Sequence, residues 1–239
     1  MYRYRPRHIH HHLLRNLHIP TALCALLLVA SLLSVSTFVL ASATANFRMV
    51  INPGVLVVGM VDSDFKPVTD PMVDMGEKFQ SSECQTATGT FGTTTQKIYI
   101  QNPGVANNGW VVTLSAASPQ STWQGDEAHF DFNDAMDSGC TDGPDVDTFA
   151  GQMTVSPITG DLSLGVCSVS CQTGGVMLGS VASFEEGTTD VITLLSASTE
   201  SSDSADWLLQ GVTVTQTIPQ NQFSSENYAL NLFLSVTAN

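Results

Sequence analysis

The sequence predicts an all-β protein: a β-sandwich-like domain behind an N-terminal signal or anchor helix. Three observations carry that prediction. Short runs rich in Val, Ile, Thr and aromatic residues recur between clusters of Gly, Pro, Asn and Ser. Several of these runs alternate apolar and polar residues at period two, the spacing of a strand with one buried face. From residue 44 onward, no stretch repeats its apolar residues at the 3.6-residue period of an amphipathic helix.

The N-terminal segment comes first in the chain and is set apart by its charge. Arg3, Arg5, Arg7 and Arg15 precede residue 20, as do five of the six histidines, and no acid occurs before Asp62. Residues 21–40 carry no charge, and small residues at Ala41/Ala43 or Ala43/Ala45 frame a cleavage site. A basic stretch, an apolar stretch and an A-x-A-like site in that order read as an export signal. Twenty apolar residues also suffice to cross a hydrocarbon layer of about 30 Å. Residues 1–43 are therefore a signal peptide or an uncleaved signal anchor, with the arginines holding the N-terminus inside. Cys24 follows a bulky Leu23, which fits a lipid-attachment site poorly, and His8 to His12 belong to the polar stretch.

Residues 44–239 form the predicted β-sandwich surface domain. Its strands are expected at 55–61, 97–101, 110–116, 152–155, 191–196, 211–217 and 228–236. The last puts Tyr228, Leu230, Leu232, Leu234 and Val236 on one face and Ala229, Asn231, Phe233 and Ser235 on the other. About ten strands in this length suit two packed sheets. Residues 84–96 (CQTATGTFGTTTQ) show no core pattern and mark a weak boundary or linker. Residues 196–206 (SASTESSDSAD) read as an exposed loop.

Composition narrows the function classes. The 239 residues carry a formal charge of −14, and charged residues make up 13% against roughly 25% in ordinary soluble domains. Beyond residue 43 there are four bases (Arg48, Lys66, Lys78 and Lys97) against all 22 acids, a formal −18. A surface of that sign repels nucleic acid and attracts divalent cations. At 43% apolar with a mean hydropathy of +0.12, the chain is too hydrophobic for a disordered one.

Four cysteines lie beyond the signal: Cys84, Cys140, Cys167 and Cys171. In an exported chain they are expected to form disulfides. Of three pairings, Cys167 with Cys171 and Cys84 with Cys140 is favoured, since a spacing of four closes across a turn. Zinc fits less well, because no C-x-x-C occurs and His129 is the sole histidine after residue 43. The same scarcity argues against an enzyme. Nucleophilic catalysis would have to use His129, and neither a G-x-S-x-G elbow nor a phosphate-binding Gly-rich loop is present.

One stretch concentrates carboxylates. DFNDAMDSGCTDGPDVD holds Asp131, Asp134, Asp137, Asp142, Asp145 and Asp147, with Asn133 and two glycines. Six acids in so short a segment offer the oxygen ligands of a hard cation, which makes Ca2+ the one candidate cofactor. The spacing is not that of an EF-hand; the competing reading is a solvated loop whose aspartates cap turns.

Two segments resemble a known family. Gly109-Trp110-Val111-Val112-Thr113-Leu114 is similar to the first tryptophan segment of the WxL family of bacterial cell-surface domains. GVTVTQTIPQNQFSSENYALNLFLSV resembles that family's closing part, in which an I-P turn leads into a Y-x-A-x-L-x-W-x-L strand; Leu232 or Leu234 stands where the distal Trp belongs. Trp207-Leu208-Leu209 is a literal W-x-L ahead of that part. The similarity covers residues 109–236. It implies an extracellular or cell-surface, non-enzymatic domain holding non-covalently to the bacterial cell envelope, through peptidoglycan or other surface proteins, with Trp110 and Trp207 as binding residues. Contact with the membrane is expected only through the N-terminal segment. The alternative is a self-assembling subunit of a surface filament or layer.

Overall fold

The computed structural model describes residues 49, 54–104, 108–167, 171–199, 201 and 204–239. The predicted signal or anchor, 1–43, lies outside them. By its internal contacts the chain separates into Met1–Val50 and Ile51–Asn239, and all of the described strands belong to the second unit.

This unit is built from three four-stranded sheets. The first has the order β1 (Val57–Val61), β3 (Lys97–Pro103), β12 (Ser204–Gln210), β8 (Asp161–Cys167). The second runs β10 (Ala182–Ser183), β7 (Gln152–Ser156), β13 (Val212–Ile218), β2 (Gln85–Phe91). The third runs β14 (Leu232–Ala238), β4 (Trp110–Ala116), β11 (Val191–Ala197), β9 (Val176–Leu178). A short ribbon pairs β5 (Trp123–Gln124) with β6 (His129–Phe130). Every pairing is antiparallel. Among the described residues the helical content is two 3-10 turns, Met136–Gly139 and Pro157–Thr159. No helix among them is long and apolar enough to cross a membrane. The all-β, sandwich-like architecture is as predicted.

The three sheets share one core, because each strand turns alternate apolar side chains the same way. Ile98 and Ile100 of β3, Val112 and Leu114 of β4, Met153 and Val155 of β7, and Val212 and Val214 of β13 meet there. At its centre Trp110 and Trp207 are fully buried, with ring centroids 5.1 Å apart. In β11 the register slips between Thr193 and Leu195, so that Leu194 and Leu195 are both buried despite being adjacent.

Three local expectations need correction. Residues 84–96 are not a linker: β2 pairs with β13 over its whole length, from Gln85↔Ile218 to Phe91↔Val212. Its inward set is Ala87, Gly89 and Phe91 and its outward set is Thr86, Thr88 and Thr90, so small residues disguise the alternation. They must be small. A Cβ on Gly89 would meet Met75 Sδ, the Asp74 carbonyl and Val73 Cγ1 at 2.7–2.8 Å, because residues 73–75 cross over this strand. The segment 196–206 is not simply an exposed loop either, since Ala197, Ser201, Ala205 and Asp206 are buried and β12 begins at Ser204. The last strand starts at Leu232, four residues later than expected, although Leu232, Leu234 and Val236 do share the inward face.

Both favoured disulfides are present, Cys84–Cys140 and Cys167–Cys171, with Cα atoms 5.6 and 5.9 Å apart.

Candidate functional site

The acidic loop runs from the end of β6 to the start of β7 and is pinned at both ends. The Asp131 N–H donates to the Ala150 carbonyl (2.8 Å), Asp134 N–H to that of Gly151 (3.0 Å), and Met153 N–H to that of Phe132 (2.6 Å). Gly151 sits at φ +136°, and a Cβ there would lie 2.1 Å from the Asp131 carbonyl oxygen, so this closure requires glycine. Cys140, just after the Met136–Gly139 turn, ties the loop to the residue preceding β2.

The six aspartates do not all converge. Asp131, Asp145 and Asp147 each offer a carboxylate oxygen, and the three oxygens lie within 4.8 Å of one another. Asp131 is buried and the other two are half-buried. Asp134 is buried but is spent on the loop itself: its two oxygens accept from the N–H groups of Met136 (2.9 Å) and Gly143 (2.8 Å). Asp137 and Asp142 are exposed and stand outside the triad. The expected set of six is thus reduced to three that share one space.

Local hydrogen bonds orient the triad. Asp131 Oδ1 accepts from Phe132 N–H, Asp145 Oδ1 from Asp147 N–H and Asp147 Oδ1 from Phe149 N–H. Beneath them, the fully buried Gln216 of β13 donates through Nε2 to the Asp131 and Thr217 carbonyls and accepts from Trp123 Nε1 through Oε1. Gln216 was not anticipated, yet it has a sequence signal: it is the one polar member of the inward series Val212, Val214, Gln216.

Burial pushes the Asp131 carboxyl up to about 7, helped by its charged neighbours Asp147 and Asp145, against the opposing hydrogen bond from Phe132. Burial also raises Asp134 and Asp147. A shared proton or a bound cation would relieve the repulsion among these three carboxylates, and their hard oxygens suit Ca2+ or Mg2+.

A folded-state value near 7 lies above the free Asp value of 3.8, so the folded protein holds the extra proton between them. The stabilisation from that proton is complete below the free value and is lost as pH rises through about 7. In the presence of a chelator, the thermal midpoint should climb as pH falls from 7.5 towards 5, and Asp131→Asn should flatten the climb. A midpoint that falls over this range in wild type and variant alike would contradict it.

Calcium at neutral pH should raise the midpoint more than sodium does at matched ionic strength. Binding to the folded state alone at about 100 times Kd is worth about 2.7 kcal/mol. Asp145→Asn should abolish the difference, while the exposed Asp142→Asn should keep it. Equal midpoints in the two salts would leave a plain acidic turn.

The tryptophans expected as binding residues are placed otherwise. Trp110 and Trp207 are 0% exposed and pack on each other, so neither presents a face to a ligand at the surface. Their role here is to join β4 to β12. Trp123 is the partly exposed tryptophan, stacked on Phe130 at 5.7 Å.

No family model, curated protein or solved structure matches the chain.

Proposed function

We propose that this chain is an exported, non-enzymatic surface protein whose β domain associates non-covalently with the bacterial cell envelope or with other surface proteins, in the manner of WxL domains. The observation that carries the reading is the pairing of all four cysteines downstream of residues 1–43 into two disulfides. Such bonds persist outside the reducing cytosol, which agrees with the export signal read from the N-terminus. The strands that resemble the WxL segments, β4 and β14, are neighbours in one sheet, with Trp110 opposite Ala238. In this reading the envelope is held by an outer face of the domain, and the buried tryptophans supply rigidity.

Ca2+ at Asp131, Asp145 and Asp147 is the proposed cofactor, fastening the acidic loop.

Sedimentation with purified peptidoglycan sacculi tests the proposal. The expected result is saturable co-sedimentation that denaturant reverses. Protein left wholly in the supernatant, both with sacculi and with intact envelopes, would overturn it.

A further inference from the structure

A second feature lies away from the acidic triad. A cavity of about 440 Å³ opens between the inner faces of the sheets, its floor made by Phe91, Leu114, Met153 and Val214. Leu230, Leu232 and Leu234 line one wall. The other is the irregular segment 70–75 that precedes β2. Protein interiors rarely leave voids much larger than a water molecule, whereas ligand pockets occupy roughly 300–1,000 Å³. The volume is of the second kind.

The lining indicates a chemistry. Four of the chain's eight methionines (Met60, Met72, Met75 and Met153) line this space. Unbranched thioether chains adapt to flexible apolar ligands. The charged group in the lining is Asp70, exposed on the covering segment and held at φ +52°. No lysine or arginine among the described residues lines the cavity, and the chain beyond residue 43 carries a formal −18. An anionic head would be repelled at this mouth and a cationic head attracted.

We propose that this cavity binds an aliphatic chain bearing a cationic head group, with the alkyl part among the methionines and leucines and the head beside Asp70. The proposal is independent of envelope association.

The test is calorimetric titration of protein purified from the producing cells with three probes of equal chain length: decyltrimethylammonium and decanoate, each below its micelle concentration, and decanol below its solubility limit. The expected result is one saturable site with affinity in the order ammonium, alcohol, carboxylate, accompanied by a change in tryptophan emission from Trp123, which lines the cavity. Asp70→Asn, at an exposed position, should lower ammonium affinity by about threefold to fivefold, the range of a partly exposed ion pair, and leave decanol unchanged. Leu230→Trp, which fills the space from outside the strands, should weaken all three probes at least tenfold with the far-ultraviolet spectrum preserved. Any of three results overturns the proposal: no saturable binding by any probe, decanoate binding as tightly as the ammonium, or unaltered binding in a folded Leu230→Trp variant. Dimerisation that shields the cavity from every probe would overturn it too, and would assign the space to a second copy of the chain.

Discussion

Replacing Cys84 and Cys140 by alanine should lower the unfolding free energy by about 4 kcal/mol, the chain-entropy value for a closed loop of this size. The bond joins residues 56 apart, so it removes much of the freedom of the unfolded chain. The Cys167–Cys171 bond joins residues four apart, and the same relation gives about 2 kcal/mol for it. Urea unfolding of the two double-alanine variants checks the order. The Cys84/Cys140 variant should also lose most of its response to calcium, because Cys140 anchors the loop that presents Asp131, Asp145 and Asp147. Equal losses from the two bonds, or a larger loss from the shorter loop, would contradict the assignment of Cys84–Cys140 as the principal staple.

Trp207→Ala should cost about 3–5 kcal/mol, the range for emptying a large aromatic site in a close-packed core. The ring is 0% exposed and meets Trp110 at 5.1 Å, and the strand beneath it is paired on both sides, with β3 and with β8. Because the two indoles touch, the double alanine variant should lose less than the sum of the singles, each having already broken their shared contact. Trp207→Phe should be far milder, since neither indole N–H has a hydrogen-bond partner among the described residues. Denaturant midpoints decide the matter. A tryptophan serving as a surface contact would instead give alanine variants with unchanged stability and weakened binding.

Much of the fold was legible because one-faced burial writes itself into the sequence at period two. WVVTLSA was expected as a strand at 110–116, and β4 has those bounds, with Trp110, Val112 and Leu114 buried. The misses have separate causes. In β2 two of the three inward residues, Ala87 and Gly89, are too small to register as a core, and at Gly89 the covering segment 73–75 fills the space a side chain would take. In β12 the buried Asp206, which accepts a hydrogen bond from the Tyr99 hydroxyl, made a strand look like a polar loop. The acidic site was legible as composition alone. Which three aspartates converge depends on Asp134 turning back to the N–H groups of Met136 and Gly143, and on Gln216 reaching across from β13. The Asp134 turn is local, but the Gln216 contact joins residues 85 apart, and no local pattern encodes it. The cavity lies further still from the sequence, since its lining is drawn from residues 60 to 234.

Fractionation of the producing cells combined with thiol alkylation tests the proposed export to the cell surface. The account predicts protein in the envelope fraction, released by salt or denaturant without detergent, with Cys84, Cys140, Cys167 and Cys171 all resistant to alkylation until reduced. Recovery of the intact chain from the cytosol, with those four cysteines labelled in the native protein, would contradict it.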